Sequence, residues 1–553
     1  MTNKVNSGLV TLAYREPFGE SERRLEKIIE FMGGSVVRAK VIEPASLSGS
    51  KRLIISARAL KELGIENLRA EDVLVYGFED PVEILGIHGT DKPASGNPMV
   101  SVNAGSREIC QQFAGLTFKA YASDLKATFT GTTACETLIA VENKPYFVRI
   151  KDSGRNLLLL AAGEFVDIDR LAPRGTSLVE YFLRLTPVMM FLRASTPQEF
   201  WHNDAPAACL VIDDPLIQSR YGFLHYEKLL RLMEEKQFHT SIAFIPWNCR
   251  RTNRKFAKFF TTVPRRYSIC VHGSDHTQRE FAVTETVARH KARQALERMK
   301  VHRERSGIDF DDVMVFPQCR FSTAAMAALK DCGYLAVANS SEYPVDVTEG
   351  IPLRDLLSVA ITRFSNVPLF IRRAALNVAE LAFDLFLGKP ALMVEHHAFF
   401  RDNYNAVAGI VEKVHGLDAH LRWADLATIC SQAHVKRNTD SGEVQVRFFT
   451  DRFVFENTGA ERQRFIFLRE AMPGTRAAGV TVNGQAVAYD ENSDVTFALS
   501  LDPAQRAEIQ IAHKTREVNS AAVSRSAVYE AKVAVRRVLS EIRDHYLQPL
   551  QLS

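Results

Sequence analysis

Between residues 205 and 436 the chain alternates short apolar runs with longer charged segments in a regular beat. The runs AACLVI, TSIAFI, SICV, VMVF, LAVAN, SVAIT and ALMVE have the length and composition of buried strands. Between most of them lie segments whose apolar positions recur three and four residues apart, among them HYEKLLRLMEEK, VTETVARHKARQALERMKVHRE, STAAMAALKDCG and AVAGIVEKVHG. That spacing predicts amphipathic helices. Seven strands, most followed by a helix, predict a parallel barrel, a distorted (β/α)7 one, or a barrel-like sheet, whose working side chains collect where the strands end. The stretch RRAALNVAELAFDLFLG, residues 372 to 388, keeps helical spacing and reads as one more barrel helix.

The flanking regions have other rhythms. Residues 1 to 200 mix β-rich runs (GLVTLAY, KRLIIS, DVLVYGF, TLIAVEN, YFVRI, NLLLLAA) with charged helical stretches, which suits a layered α/β domain with a mainly parallel sheet. That region holds no Gly-x-Ser-x-Gly elbow, no P-loop and no Gly-x-Gly-x-x-Gly, and Cys135 in GTTACETLIA reads as a structural cysteine. Residues 440 to 515 carry short alternating runs divided by turn residues, including the hairpin signal VNGQ, and predict an antiparallel β-sandwich. Residues 521 to 547 predict an amphipathic helix with a basic polar face. Its packing partner is expected to be its own protein or a sister subunit, giving a possible homo-oligomer; membrane contact, if any, is expected to be peripheral.

Composition narrows the function classes. The 553 residues are 46% hydrophobic and 24% charged with a formal net charge of +4, which gives no argument for nucleic acid. No apolar stretch is long enough to span a bilayer. The amino terminus turns charged soon after Tyr14, unlike a signal peptide, and the eight cysteines show no Cys-x-x-Cys spacing; both point to a cytoplasmic setting.

Candidate chemistry lies at three strand ends of the middle region. The first ends CLVIDDPLI with Asp213 and Asp214, the third ends ICVHGSDH with His272 and His276, and the last ends LMVEHHAFF with His396 and His397. Fifteen histidines would produce about 0.4 His-x-x-x-His pairs by chance, so the pair alone decides little. Two imidazoles and a carboxylate nevertheless suit a divalent ion, zinc first, with positions left for water and substrate. Of two adjacent acids, one can ligate while the other takes a proton. Asp275 falls one step off the ligating face and reads as a bystander. Asp311 and Asp312, which precede a predicted strand, read as turn residues.

This set resembles the polysaccharide deacetylase family, the NodB-homology carbohydrate esterases that remove acetyl groups from sugars. The family's Thr-Phe-Asp-Asp-Gly stands here as Val211-Ile212-Asp213-Asp214-Pro215, its His-Ser/Thr-x-x-His as His272-Gly273-Ser274-Asp275-His276, and its Leu-x-x-x-His as Leu392-Met393-Val394-Glu395-His396, with 58 residues from Asp214 to His272. The resemblance implies Asp213 as general base, Asp214, His272 and His276 as metal ligands, and His396 as the acid. In the third motif Pro317 is kept, Gln318 replaces the aromatic residue and is assigned the oxyanion-binding backbone N–H, and Arg320 follows the proline instead of an arginine preceding it. No tryptophan lies between positions 248 and 422 to supply the fourth motif, and Arg363 is the candidate electrostatic substitute. Trp247, Asn248 and His397 are candidate substrate contacts at the mouth. The resemblance covers about 230 residues and implies an acetylated glycan or sugar substrate, N-acetyl first. Two alternatives stay open: a deacetylase of a small amide, and a degenerate barrel that binds glycan or assembles with polysaccharide-synthesis machinery without turnover.

Overall fold

The computed structural model describes residues 8–41, 50–78, 83–90, 97–121, 127–131, 135–152, 154–263, 266–470, 476–491, 494–513 and 527–547. The first region builds a nine-stranded sheet. Its first five strands in spatial order, Ser35–Lys40, Leu9–Tyr14, Arg52–Ser56, Asp72–Tyr76 and Arg155–Leu160, are parallel. Beyond them Lys144–Asp152, Glu136–Val141, Met99–Val102 and Thr117–Lys119 pair antiparallel, so the mainly parallel sheet read from the sequence is a mixed one. Short connections are the cause: Glu142 and Asn143, with φ of 49° and 64°, make a two-residue turn that can only fold a chain back on itself.

The helix Phe182–Ser195 is apolar on nearly every side and sits between this sheet and the next region, buried all round. Its Phe182 meets Phe113 at 4.8 Å and Phe383 at 6.4 Å between ring centroids, so the sheet and the barrel share one core.

Seven parallel strands form that barrel: β1 (Ala207–Asp213), β2 (Thr240–Phe244), β3 (Tyr267–His272), β4 (Asp311–Val315), β5 (Ala336–Asn339), β6 (Leu369–Ala374) and β7 (Ala391–Glu395). Neighbours pair in chain order, and β1 pairs with both β2 and β7, which closes the ring. Alternate residues point inward: Cys209 and Val211, Ala243, Cys270, Val313 and Val315, Ala336 and Ala338, Phe370 and Leu392 fill the lumen as one cluster. The other face of each strand packs against the surrounding helices.

Three readings are corrected here. SVAIT is not the sixth strand; it follows the short helix Leu353–Leu357 and makes only an isolated bridge from Ile361 to Leu369. The sixth strand is Leu369–Ala374, so the run from 372 opens as strand and becomes helix only at Val378–Phe386. Burial decides this, because Arg372 is wholly enclosed by the lumen and would lose its partner on a surface helix. Asp311 and Asp312 open β4 and are not turn residues; Asp312 pairs with Arg452 of the following region.

Residues from His434 to His513 form a five-stranded and a four-stranded sheet packed face to face over a Phe-rich core. The VNGQ turn closes the hairpin that pairs Val482 with Gln485, with Asn483 and Gly484 at φ 50° and 80°. Last comes a helix, Ala527–Ile542, continued by a wider turn over Arg543–Leu547; residues 521–526 of the predicted helix lie outside the described residues. Among the described residues no helix is long and apolar enough to cross a membrane.

Candidate metal centre

β1 delivers Asp213 from its last position and Asp214 from the residue beyond, where the backbone turns to φ 75°. β3 delivers His272, and the chain then reverses through Gly273 at φ 61° to place His276 at φ 56°. Two of the three candidate ligands thus sit in the left-handed region that non-glycine residues avoid, a strain that persists where surrounding structure enforces it. Gly273 is required: a Cβ there would lie 2.4 Å from Pro317 Cγ and 2.6 Å from Glu280 Oε2.

The ligating atoms of Asp214, His272 and His276 converge within 4.8 Å of one another. Asp214 Oδ1 is 3.1 Å from His272 Nε2 and 2.9 Å from His276 Nε2. Despite those distances Oδ1 accepts no aligned hydrogen bond among the described residues, so a buried oxygen and two ring nitrogens aim at a common point without pairing. That is the donor set a divalent cation would fit. His272 Nδ1 lies 3.0 Å from the Val315 carbonyl, which keeps the proton on Nδ1 and leaves Nε2 as the ligand atom.

Charge in the pocket is balanced by a residue the sequence reading placed on a helix. Arg372, fully buried on β6, donates from Nη1 and Nη2 to the two oxygens of Asp213 at 2.7 and 3.1 Å. Burial alone would raise the Asp213 carboxyl, but the Arg372 charge outweighs it and holds the group below the usual carboxylate range. Asp214 is likewise raised by burial and pulled well below by His276 and His272. For His272 the balance runs the other way: burial lowers it, while the nearby carboxylates of Asp214 and Asp213 raise it.

The loop itself is tied down by Glu280, whose carboxylate accepts the backbone N–H groups of Ser274, Asp275 and His276 at 3.2, 2.7 and 3.0 Å. Asp275 is no bystander. It is buried off the ligating face, pairs with Lys291 and Arg298, and accepts the Tyr529 hydroxyl at 2.9 Å.

The other candidates are scattered around this centre. His396 follows β7 in extended conformation and is exposed. His397 is buried edge-on against Tyr221 and stacked on Phe223, near enough to Asp544 and Asp214 to feel their charge, and burial lowers its pKa. Gln318 is exposed in a tight turn at φ 56°, beside Pro317, which packs against Gly273. Trp247, half-buried, donates its backbone N–H to Ser274 at 2.9 Å; Asn248 is fully buried and its Nδ2 finds no partner among the described residues. Arg363 is exposed on the carboxylate of Asp355 and is not brought to the centre; the buried guanidinium beside Asp213 is Arg372.

A further cover comes from the C-terminal helix, which lies across the barrel mouth. Arg537, buried, reaches within 3.5 Å of His276 Nδ1, and Arg251 Nη2 pairs with Glu541 at 2.7 Å. The Tyr221 hydroxyl donates to Asp544 at 3.2 Å, and the Gly222 N–H donates to His545 Nδ1 at 3.3 Å. Helical spacing alone predicted this helix, but no sequence signal tied Arg537 to His276.

No protein-family model matches the chain, and no curated protein matches it. Among solved structures it is similar to a family 4 carbohydrate esterase from Streptomyces lividans in complex with acetate, at 9% identity over 40% of this chain and 94% of that one, with a TM-score of 0.27. It is similar to the carbohydrate esterase family 4 domain of a multidomain xylanase from the hindgut metagenome of Trinervitermes trinervoides, at 11% identity over 41% and 90%, with a TM-score of 0.26. A family 4 pseudoenzyme from Bacillus anthracis is similar at 10% identity over 42% and 72%, with a TM-score of 0.25.

Proposed function

We propose that the chain is a metal-dependent acyl hydrolase that removes acetyl groups, N-acetyl first, from a sugar or glycan. The observation that carries this reading is the convergence of Asp214, His272 and His276 on one point, with a second, separately clamped carboxylate next to it. A divalent ion such as zinc bound by those three side chains would polarise the acyl carbonyl and lower the pKa of the attacking water. Asp213, kept ionised and oriented by Arg372, accepts that water's proton. The backbone N–H of Gln318 would bind the developing oxyanion, and His396 would protonate the departing amine. Trp247, half-buried at the end of β2, would meet the sugar. We place the reaction in the cytoplasm, on an acetylated sugar or a glycan precursor.

The deciding experiment is acetate release from a panel of N-acetylated sugars and oligosaccharides, with Asp213→Asn as the comparison. Release by the wild-type chain and its loss in the variant support the reading, whereas a zinc-loaded chain releasing no acetate across the panel overturns it. A second reading, a glycan-binding barrel without turnover, is favoured by the C-terminal helix lying over the mouth. Its mark is glycan binding with no acetate released.

A further inference from the structure

The C-terminal helix has two working faces, and the proposed hydrolase accounts for only one. Tyr529, Val533, Arg537 and Asp544 turn toward the barrel, and Glu541 is engaged by Arg251. On the opposite side Val528, Val535 and Leu539 form a stripe at helical spacing and are 63%, 59% and 61% exposed, continued by Val538 and Ile542. Exposed apolar side chains are ordinary when single, but five on one helix face form a patch that calls for a partner. Among the described residues the stripe stays exposed, while the helix docks through its other side.

Charge identifies the partner. Along one edge of the stripe a shallow groove is lined by Val535, Leu539, Lys532, Arg536 and Arg543, the last ion-paired with Asp544, and no carboxylate stands in its wall among the described residues. The acids Glu530 and Glu541 belong to the other side of the helix by the same helical spacing, and Asp544, in the wider turn that follows, meets Tyr221 and Arg543. A second copy of the helix laid antiparallel along the stripe would set Lys532 and Arg536 against their own images, which disfavours self-pairing. An apolar stripe with a cationic edge of Lys532 and Arg536 instead matches the boundary between lipid headgroups and acyl chains of an anionic leaflet.

We propose that this outer face of the C-terminal helix is a docking surface for an anionic membrane. Bound there, the protein lies with its barrel mouth one helix diameter, about 10 Å, from the headgroups. The inference does not depend on the hydrolase reading, since the surface and the metal centre are on opposite sides of the helix.

Co-sedimentation of the full chain with phosphatidylcholine vesicles containing about 30 mol% phosphatidylglycerol tests it, with pure phosphatidylcholine vesicles as the comparison. The expected result is binding to the anionic vesicles alone, weakening as salt is raised. The Lys532→Glu/Arg536→Glu variant should bind at least about tenfold more weakly, and the Val535→Glu/Leu539→Glu variant should lose binding to a similar degree. All four positions are on the outer side, and unchanged far-UV circular dichroism and melting would show that the variants fold. If Val535→Glu/Leu539→Glu were to fail that control, the charge-reversal variant and the salt series decide. Absence of wild-type binding, equal binding to uncharged vesicles, or retained binding by both variants would overturn the proposal. So would a dimer in sedimentation equilibrium that Val535→Glu/Leu539→Glu dissociates while vesicles remain unbound, since the stripe would then be a self-interface.

Discussion

Arg372 grips both carboxylate oxygens of Asp213, at 2.7 and 3.1 Å, across 159 residues of sequence and from a strand two places round the closed barrel. A planar fork meeting a carboxylate fixes orientation as well as charge, which a lysine at the same place would not. Removing the guanidinium leaves Asp213 buried without its counter-charge. Arg372→Met should therefore destabilise the fold by about 3–5 kcal/mol, while Arg372→Lys should fold better yet lose about 10- to 100-fold in acetate release because Asp213 is no longer aimed. Thermal melts and rate measurements on the two variants check this, and equal rates for wild type and Arg372→Lys would show that the fork has no positioning role.

Metal content separates the candidate ligands from their neighbours. Purified without chelators, the chain should carry about one zinc or similar ion, and both Asp214→Asn and His276→Ala should fall far below that while Asp213→Asn keeps it. Stripping the ion should lower the melting temperature, since a ligand present at a hundred times its Kd stabilises by about 2.7 kcal/mol. Elemental analysis before and after dialysis against a chelator gives the answer; a metal content unaffected by His276→Ala would exclude that ligand set.

Gly273 offers a steric test of the loop. Its φ of 61° and the 2.4 Å approach that a Cβ would make to Pro317 predict that Gly273→Ala costs about 2–4 kcal/mol. Gly154 has φ 84° with open space around it, so Gly154→Ala should cost only the backbone penalty of about 1 kcal/mol. Urea midpoints of the two variants measure the difference, and similar midpoints would mean that the Pro317 contact does not matter.

Acid sensitivity should centre on His302. It is fully buried beside Phe244, with Nε2 2.8 Å from the Thr252 hydroxyl, and burial pushes its pKa down to about 4. Unfolded, the ring binds its proton near pH 6.5, so between 6.5 and 4 the unfolded chain holds more protons than the folded one. Stability is then fully present above pH 6.5 and is lost as pH falls through that window, by up to about 3 kcal/mol from this group. Melting curves from pH 7 to 4 on wild type and His302→Gln should show a shallower decline in the variant; parallel declines would assign the sensitivity to other groups.

Much of the barrel was legible because its strands announce themselves through local composition. Six of the seven runs read from sequence coincide with barrel strands, and the triad was visible because its members sit at strand exits, where position alone says which way a side chain can reach. The mixed sheet near the amino terminus was less legible, since apolar runs do not reveal their direction and the two-residue turn at Glu142-Asn143 decides it.

What sequence determined by itself was the set of residues with the right chemistry and the period of the elements that carry them. Tertiary structure decided which charges meet. Arg372 reads as helical because its neighbours favour helix, yet it lies on a strand whose inward face holds Asp213. Arg363 has the same chemistry and lies outside the centre. Asp275 was set aside on spacing but anchors Lys291, Arg298 and Tyr529, the last from a helix more than 250 residues away. Local spacing carries the backbone's period, a property of near neighbours; the pairing of buried charges depends on which distant elements share one desolvated space, and only the closed barrel with its capping helix creates that space.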